Sequence, residues 1–128
     1  MTPEAKEHLK RAHEYLVKAR RFSDVLHYDD EAARAAYLAG FHAAQALISE
    51  RTGRIAKTHS GMRSAFGRLV KGDPRIDRTL TRFLGQAYKL KEVTDYGTGP
   101  QATVSASEAW EMIETAEGFV AQIGQILA

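Results

Sequence analysis

The stretch DDEAARAAYLAGFHAAQALISERTG, Asp29 to Gly53, decides the fold class. Three acids open it, where they complement the positive end of a helix dipole. Ala33, Tyr37, Gly40, Phe41, Ala44, Leu47 and Ile48 recur at helical spacing, and Gly53 is the kind of residue found just past a helix end. Ala32, Ala35, Ala36, Ala39 and Ala43 add to the small residues. A helix built this way predicts a neighbour packed unusually close to it.

Working outward, the same punctuation repeats. Thr2-Pro3 predicts a helix start, with Thr2 as cap and Pro3 in the first turn. Ala5, Leu9, Ala12, Leu16 and Ala19 then form one face, fading near Phe22. Lys57 to Val70 reads as a short helix, with Thr58 or Ser60 as its cap and Gly72-Asp73-Pro74 as its stop. The next helix turns Ile76, Leu80, Phe83, Leu84, Ala87 and Leu90 inward and Arg75, Arg78, Arg82 and Lys89 outward, before Gly97, Gly99 and Pro100 break the chain. Ser105 to Glu108 has the spacing of a capping box, in which each side chain satisfies the other's backbone N–H. Behind it, Ala109, Trp110, Ile113, Ala116, Val120, Ile123 and Leu127 predict the stripe of a last helix whose polar side, Glu108, Glu111, Glu114 and Glu117, is acidic. No strand pattern, internal repeat or long linker interrupts this order. The expectation is an all-α fold, an up-and-down antiparallel bundle of about five helices, with residues 1–128 as one domain.

Composition narrows the functional classes. Hydrophobic residues at 44% and charged residues at 27% describe a globular chain, and nothing approaches the ~20 apolar residues of a membrane span. The first residues lack the layout of a signal peptide, so a cytoplasmic location without membrane contact is expected. The absence of cysteine excludes disulfides and thiolate metal sites. His8, His13, His27, His42 and His59 form no HxxxH pair, so no metal or other cofactor is expected. Charge is unevenly placed: residues 51–91 hold 11 of the 18 lysines and arginines and only Asp73 and Asp77 as acids, a local +9. Such a segment is either a solvated helix surface or the footprint of a polyanion or nucleotide site.

Two places carry candidate chemistry. His59 falls at a helix start with Arg54, Lys57 and Arg63 near it, a setting that suits an anion as well as a packed turn. Lys91, Asp95 and Tyr96 close the fourth helix. Lys91 and Asp95 are i, i+4 neighbours, which a plain helix ion pair explains, while a cation and a phenol at a helix end could also meet a phosphate. His42, beside Phe41, is expected at a helix or subunit contact, and Tyr37 and Trp110 in the core or an interface.

Three segments then carry a resemblance. Tyr37 to Ala44 (YLAGFHAA), Lys57 to Gly61 (KTHSG) and Leu90 to Gly97 (LKEVTDYG) resemble, in order and spacing, the motifs of small prokaryotic HEPN-domain proteins, and the likeness extends over residues 5 to 127. It implies a helical bundle, usually dimeric, often encoded beside a minimal nucleotidyltransferase as a toxin–antitoxin pair. Catalytic members resemble metal-independent RNases whose arginine and histidine meet in the dimer cleft. Here Lys91 stands at the arginine position and Tyr96 at the histidine position. Lysine lacks the planar fork of arginine, and tyrosine, with a pKa of ~10, is a poor proton shuttle near neutrality. Where some HEPN toxins carry the tyrosine that their partner modifies with AMP, this chain has Thr98.

The resemblance and the charge pattern together imply a homodimeric binding and regulatory component of a nucleotidyltransferase–HEPN pair. Nucleotide or RNA phosphate would be held by His59, Lys57, Arg63 and Asp95. The alternatives are an RNase toxin using Lys91 and Tyr96, and a helical dimer with no ligand.

Overall fold

The computed structural model describes residues 1–96 and 103–128, except for the side chains at positions 79, 80, 93, 94 and 96. Five α-helices and no strand are found among the described residues: α1 (Pro3–Arg20), α2 (Asp29–Thr52), α3 (His59–Val70), α4 (Arg78–Tyr96) and α5 (Ala106–Leu127). The expected all-α bundle is the observed one.

Local chemistry sets most of the boundaries. Thr2 Oγ1 accepts from the Ala5 N–H at 3.1 Å, with Pro3 in the first turn of α1. Gly53 ends α2 with φ at 73°, a left-handed value that costs glycine nothing. Thr58, not Ser60, caps α3 by accepting from the Gly61 N–H at 2.8 Å, so that helix begins at His59 rather than Lys57. The capping box of α5 is complete: Glu108 N–H donates to Ser105 Oγ, and Ser105 N–H donates to Glu108 Oε1, both at 3.1 Å.

Three expectations need correction. The first helix does not fade at Phe22 but runs on as a π-helical turn, Arg21–Val25, before the chain reverses at His27. Ile76 is buried as expected, but it lies in the connection before α4. Trp110 leaves the α5 stripe and is 45% exposed. One residue past Ala109 is a rotation of about 100°, which carries its ring to the edge of the buried face. There the Arg20 guanidinium covers it at 4.5 Å and Glu117 holds that guanidinium at 2.6 Å.

The long α2 is the axis of the bundle, packed against every other helix. Thr2 N–H donates to Glu50 at one end of the α1–α2 pair, and His8 meets His42 further along, so these helices run antiparallel. Ala5, Ala12 and Ala19 are fully buried against the alanines of α2. Small residues on both helices let the backbones approach, as the sequence requires. Contacts between Arg34 and Asp95, Tyr37 and Tyr88, and Gly40 and Phe83 set α4 antiparallel to α2. Val104 N–H donates to Asp30 Oδ1 at 2.8 Å and starts α5 beside the start of α2. The large core side chains, Tyr37, Met62, Phe66, Phe83, Ile113, Phe119 and Ile123, fill the space among α2, α3, α4 and α5. Each such burial is worth about 1.5–3 kcal/mol.

Candidate functional site

Two α2 side chains hold the connection between α2 and α3: Thr52 Oγ1 accepts from the Arg54 N–H at 3.2 Å, and Gln45 clamps the segment further on. Gln45 is buried on α2; its Nε2 donates to the Ala56 carbonyl at 2.8 Å and its Oε1 accepts from the Ala56 N–H at 3.0 Å. This two-bond clamp fixes the backbone just before the Thr58 cap. The first residue of α3, His59, is thereby set against the middle of α2.

There His59 enters an aromatic box. Its ring lies 5.0 Å from Phe41, 5.4 Å from Tyr88 and 5.5 Å from Tyr37, centre to centre. Its Nδ1 is 2.6 Å from the Tyr37 hydroxyl. Tyr37 is fully buried, and that burial pushes its phenol well above the usual tyrosine range, although the Arg63 charge acts in the opposite sense. Burial likewise lowers the His59 pKa, and the charges of Lys91 and Arg63 lower it further against a smaller opposing effect of Glu92. Near neutral pH the pair is therefore a phenol and a neutral imidazole. When the Tyr37 O–H donates to Nδ1, the ring proton is on Nε2, which leaves an N–H donor on the far side of the ring.

Cations surround this box. One turn along α3 from His59, the Arg63 guanidinium lies 4.4 Å above the Tyr88 ring, and its buried Nη1 has no hydrogen-bond partner among the described residues. Lys91, only 9% exposed, donates from Nζ to Asp95 Oδ2 at 2.6 Å. The other oxygen of Asp95 lies 3.5 Å from Arg34 Nε. Asp95 thus holds two cations from two helices beside a neutral histidine. A phosphate has the charge and the acceptors to share Lys91 and Arg63 with the protein's own groups and to take the imidazole N–H.

The fold brings His59, Arg63, Lys91 and Asp95 into one cluster by setting the start of α3 beside the end of α4. Lys57 is exposed on the connection, with no hydrogen bond or ion pair to a described residue. The Tyr96 side chain and Thr98 lie outside the described residues. Sequence reasoning misses Tyr37, Tyr88 and Gln45 as parts of the site. Tyr37 carries the only signal, as a polar-tipped aromatic among alanines, and that same setting points to the core. No group of three or more potential metal-ligating side chains converges among the described residues. No helix among them is long and apolar enough to cross a membrane.

The structure defines a class: a helical bundle carrying a histidine and cations at the junction of α2, α3 and α4. The family model for the HEPN domain matches residues 5–126. A UPF0332 protein of Gloeobacter violaceus is 30% identical over 128 residues, which cover 100% of this chain and 99% of the relative. The chain belongs to the HEPN-domain family.

Proposed function

We propose that this HEPN protein is a homodimeric binding and regulatory component, the partner of a nucleotidyltransferase in a two-gene toxin–antitoxin system, and that it holds a nucleotide or RNA phosphate at the His59 cluster. The observation that carries the reading is that the charges of Lys91 and Arg63 both bear on the His59 imidazole, which the buried hydroxyl of Tyr37 holds from behind. Core packing alone does not call for two cations beside an imidazole that is bonded to a buried phenol. Such an arrangement offers a phosphate two positive charges and a neutral N–H donor, each in a partly desolvated place where electrostatic contacts are strong.

Titration calorimetry with AMP tests it. The wild type binds, and His59→Ala and Lys91→Ala each weaken binding about tenfold or more, since one hydrogen bond to a charged group is worth about 1.5–3 kcal/mol. Unchanged affinity in both variants would remove the cluster from the binding site. Sedimentation of the purified protein tests the dimer, and co-purification with the product of an adjacent nucleotidyltransferase gene tests the pairing.

The RNase reading has one observation in its favour, the imidazole kept neutral beside Lys91, which suits a proton acceptor. RNA cleavage in the presence of EDTA that disappears in Lys91→Ala would establish it.

A further inference from the structure

A pocket of about 770 Å³ opens where α3 gives way to α4, at the opposite end of α3 from His59. Val70 and Ile76 supply apolar wall, and Lys71, Arg78 and Arg82 line the same concavity. All three cations are exposed, and none is in an ion pair with a described residue. Arg78 and Arg82 stand four residues apart on α4, the spacing at which like charges work against a helix.

The neighbouring acids do not neutralise this group. Asp73 is occupied by Arg75, whose guanidinium donates to both carboxylate oxygens at 2.9 and 2.7 Å. Those bonds hold the Asp73 carboxyl down to about 2. Asp77, exposed just before α4, offsets one of the three charges. The loop is also anchored, because Gln122 on α5 donates to the Arg75 carbonyl at 2.5 Å. The result is a fixed concave surface with surplus positive charge, which neither the packing nor the capping of α3 and α4 needs.

We infer that this pocket is a second phosphate subsite, separate from the His59 cluster, and that the two together hold a strand of RNA rather than a free nucleotide. His59, Arg63, Gly67 and Val70 follow one another along a single stripe of α3, so the pocket walls at Gly67 and Val70 lie roughly 12 to 16 Å from His59 along that helix by its rise per residue. That span exceeds the reach of one nucleotide. Gly67, at the near edge of the pocket, leaves the stripe bare; a Cβ there would meet nothing within 4 Å. The strand assignment rests on the phosphate reading of the His59 cluster, whereas the α3–α4 subsite stands on its own charges.

The probes are AMP, inorganic tripolyphosphate and a fluorescently labelled oligouridylate of about ten nucleotides, with binding measured over a salt series. Arg78→Gln/Arg82→Gln is expected to weaken the oligonucleotide about tenfold and to lower the slope of log affinity against log salt by about 1.4, two single-strand phosphates' worth, with AMP unchanged. Arg78→Lys/Arg82→Lys should recover most of the slope, since it restores the charge. An oligonucleotide affinity and slope equal to wild type in the glutamine variant overturns the subsite. Tripolyphosphate that binds the wild type as tightly as the strand, and is lost in the same variant, overturns the strand assignment and makes the ligand a compact polyphosphate. His59→Ala separates the two readings. If it leaves all three probes unaffected while the arginine variant loses the strand, the His59 site fails and the α3–α4 subsite stands.

Discussion

At the scale of single residues, two histidines on α2 and its neighbours illustrate how burial sets charge. His59 stays neutral against Tyr37, and His42 does so against His8. The two Nδ1 atoms of the latter pair are 3.1 Å apart, and the His42 ring also stacks on Tyr15 at 5.5 Å. Burial first, then the nearby His8 and Arg11, lower His42 from 6.5 to about 4. His8 is lowered too, chiefly by its own burial, with Glu7 opposing. A histidine whose folded pKa is depressed binds more protons when unfolded, so stability rises with pH across that window. The contribution is fully present above about 6.5 and is lost as pH falls toward about 4. After discounting for partial solvent screening it is on the order of 2 kcal/mol for His42. Urea denaturation at pH 7 and pH 5 checks this: the midpoint should fall at the lower pH, and His42→Gln should flatten the difference. The sequence alone does not show this coupling. It places His42 at a helix contact, and the residue is at one, but the partner His8 lies 34 residues away and only the antiparallel packing of α1 on α2 brings it there.

At the scale of the elements, the legible signals are those whose physics is local. The Thr2 and Ser105 caps and the Gly53 stop act within a turn of themselves, and all three can be read from spacing. Trp110 departs from its expected place because a helical wheel cannot say how wide a buried face will be. Gln45 gives no advance signal because its partner, Ala56, belongs to a loop that only exists once α3 docks. Gly40 is legible as a small residue but not for what it admits. A Cβ at Gly40 would come within 2.7 Å of Phe83 Cε1 and 3.3 Å of Leu84 Cδ2, both buried on α4. Gly40→Ala should therefore cost about 1–3 kcal/mol through overpacking of the α2–α4 contact. Gly85, also within a helix but with open space where its Cβ would stand, is the control. Gly85→Ala should stabilise by about 0.5–1 kcal/mol from helix propensity alone. Thermal or urea melts of the two variants should move in opposite directions, and equal shifts would show that α4 does not press on α2 at Gly40.

At the scale of the whole molecule, five of the eleven cations of residues 51–91 gather in two places. One is the His59 cluster, where Lys91 and Arg63 flank a neutral imidazole, and the other is the α3–α4 pocket. The +9 segment is legible as a total, and the separation into two sites needs the fold, because the antiparallel return of α4 decides which cations face α3. The acidic polar side of α5 shares a groove with α4, where Glu108, Glu111 and Glu114 line the same concavity as Lys89. The central claim is that His59 is a phosphate ligand supported from behind by Tyr37. The most direct measurement is an NMR pH titration of the His59 imidazole, with and without AMP. The account predicts that His59 titrates below 6.5 in the free protein, the direction that burial and the two cations impose, and that AMP raises its pKa, because an anion at Nε2 favours the imidazolium. A His59 resonance whose pKa is unmoved by AMP, in a sample where calorimetry shows AMP bound, would contradict it.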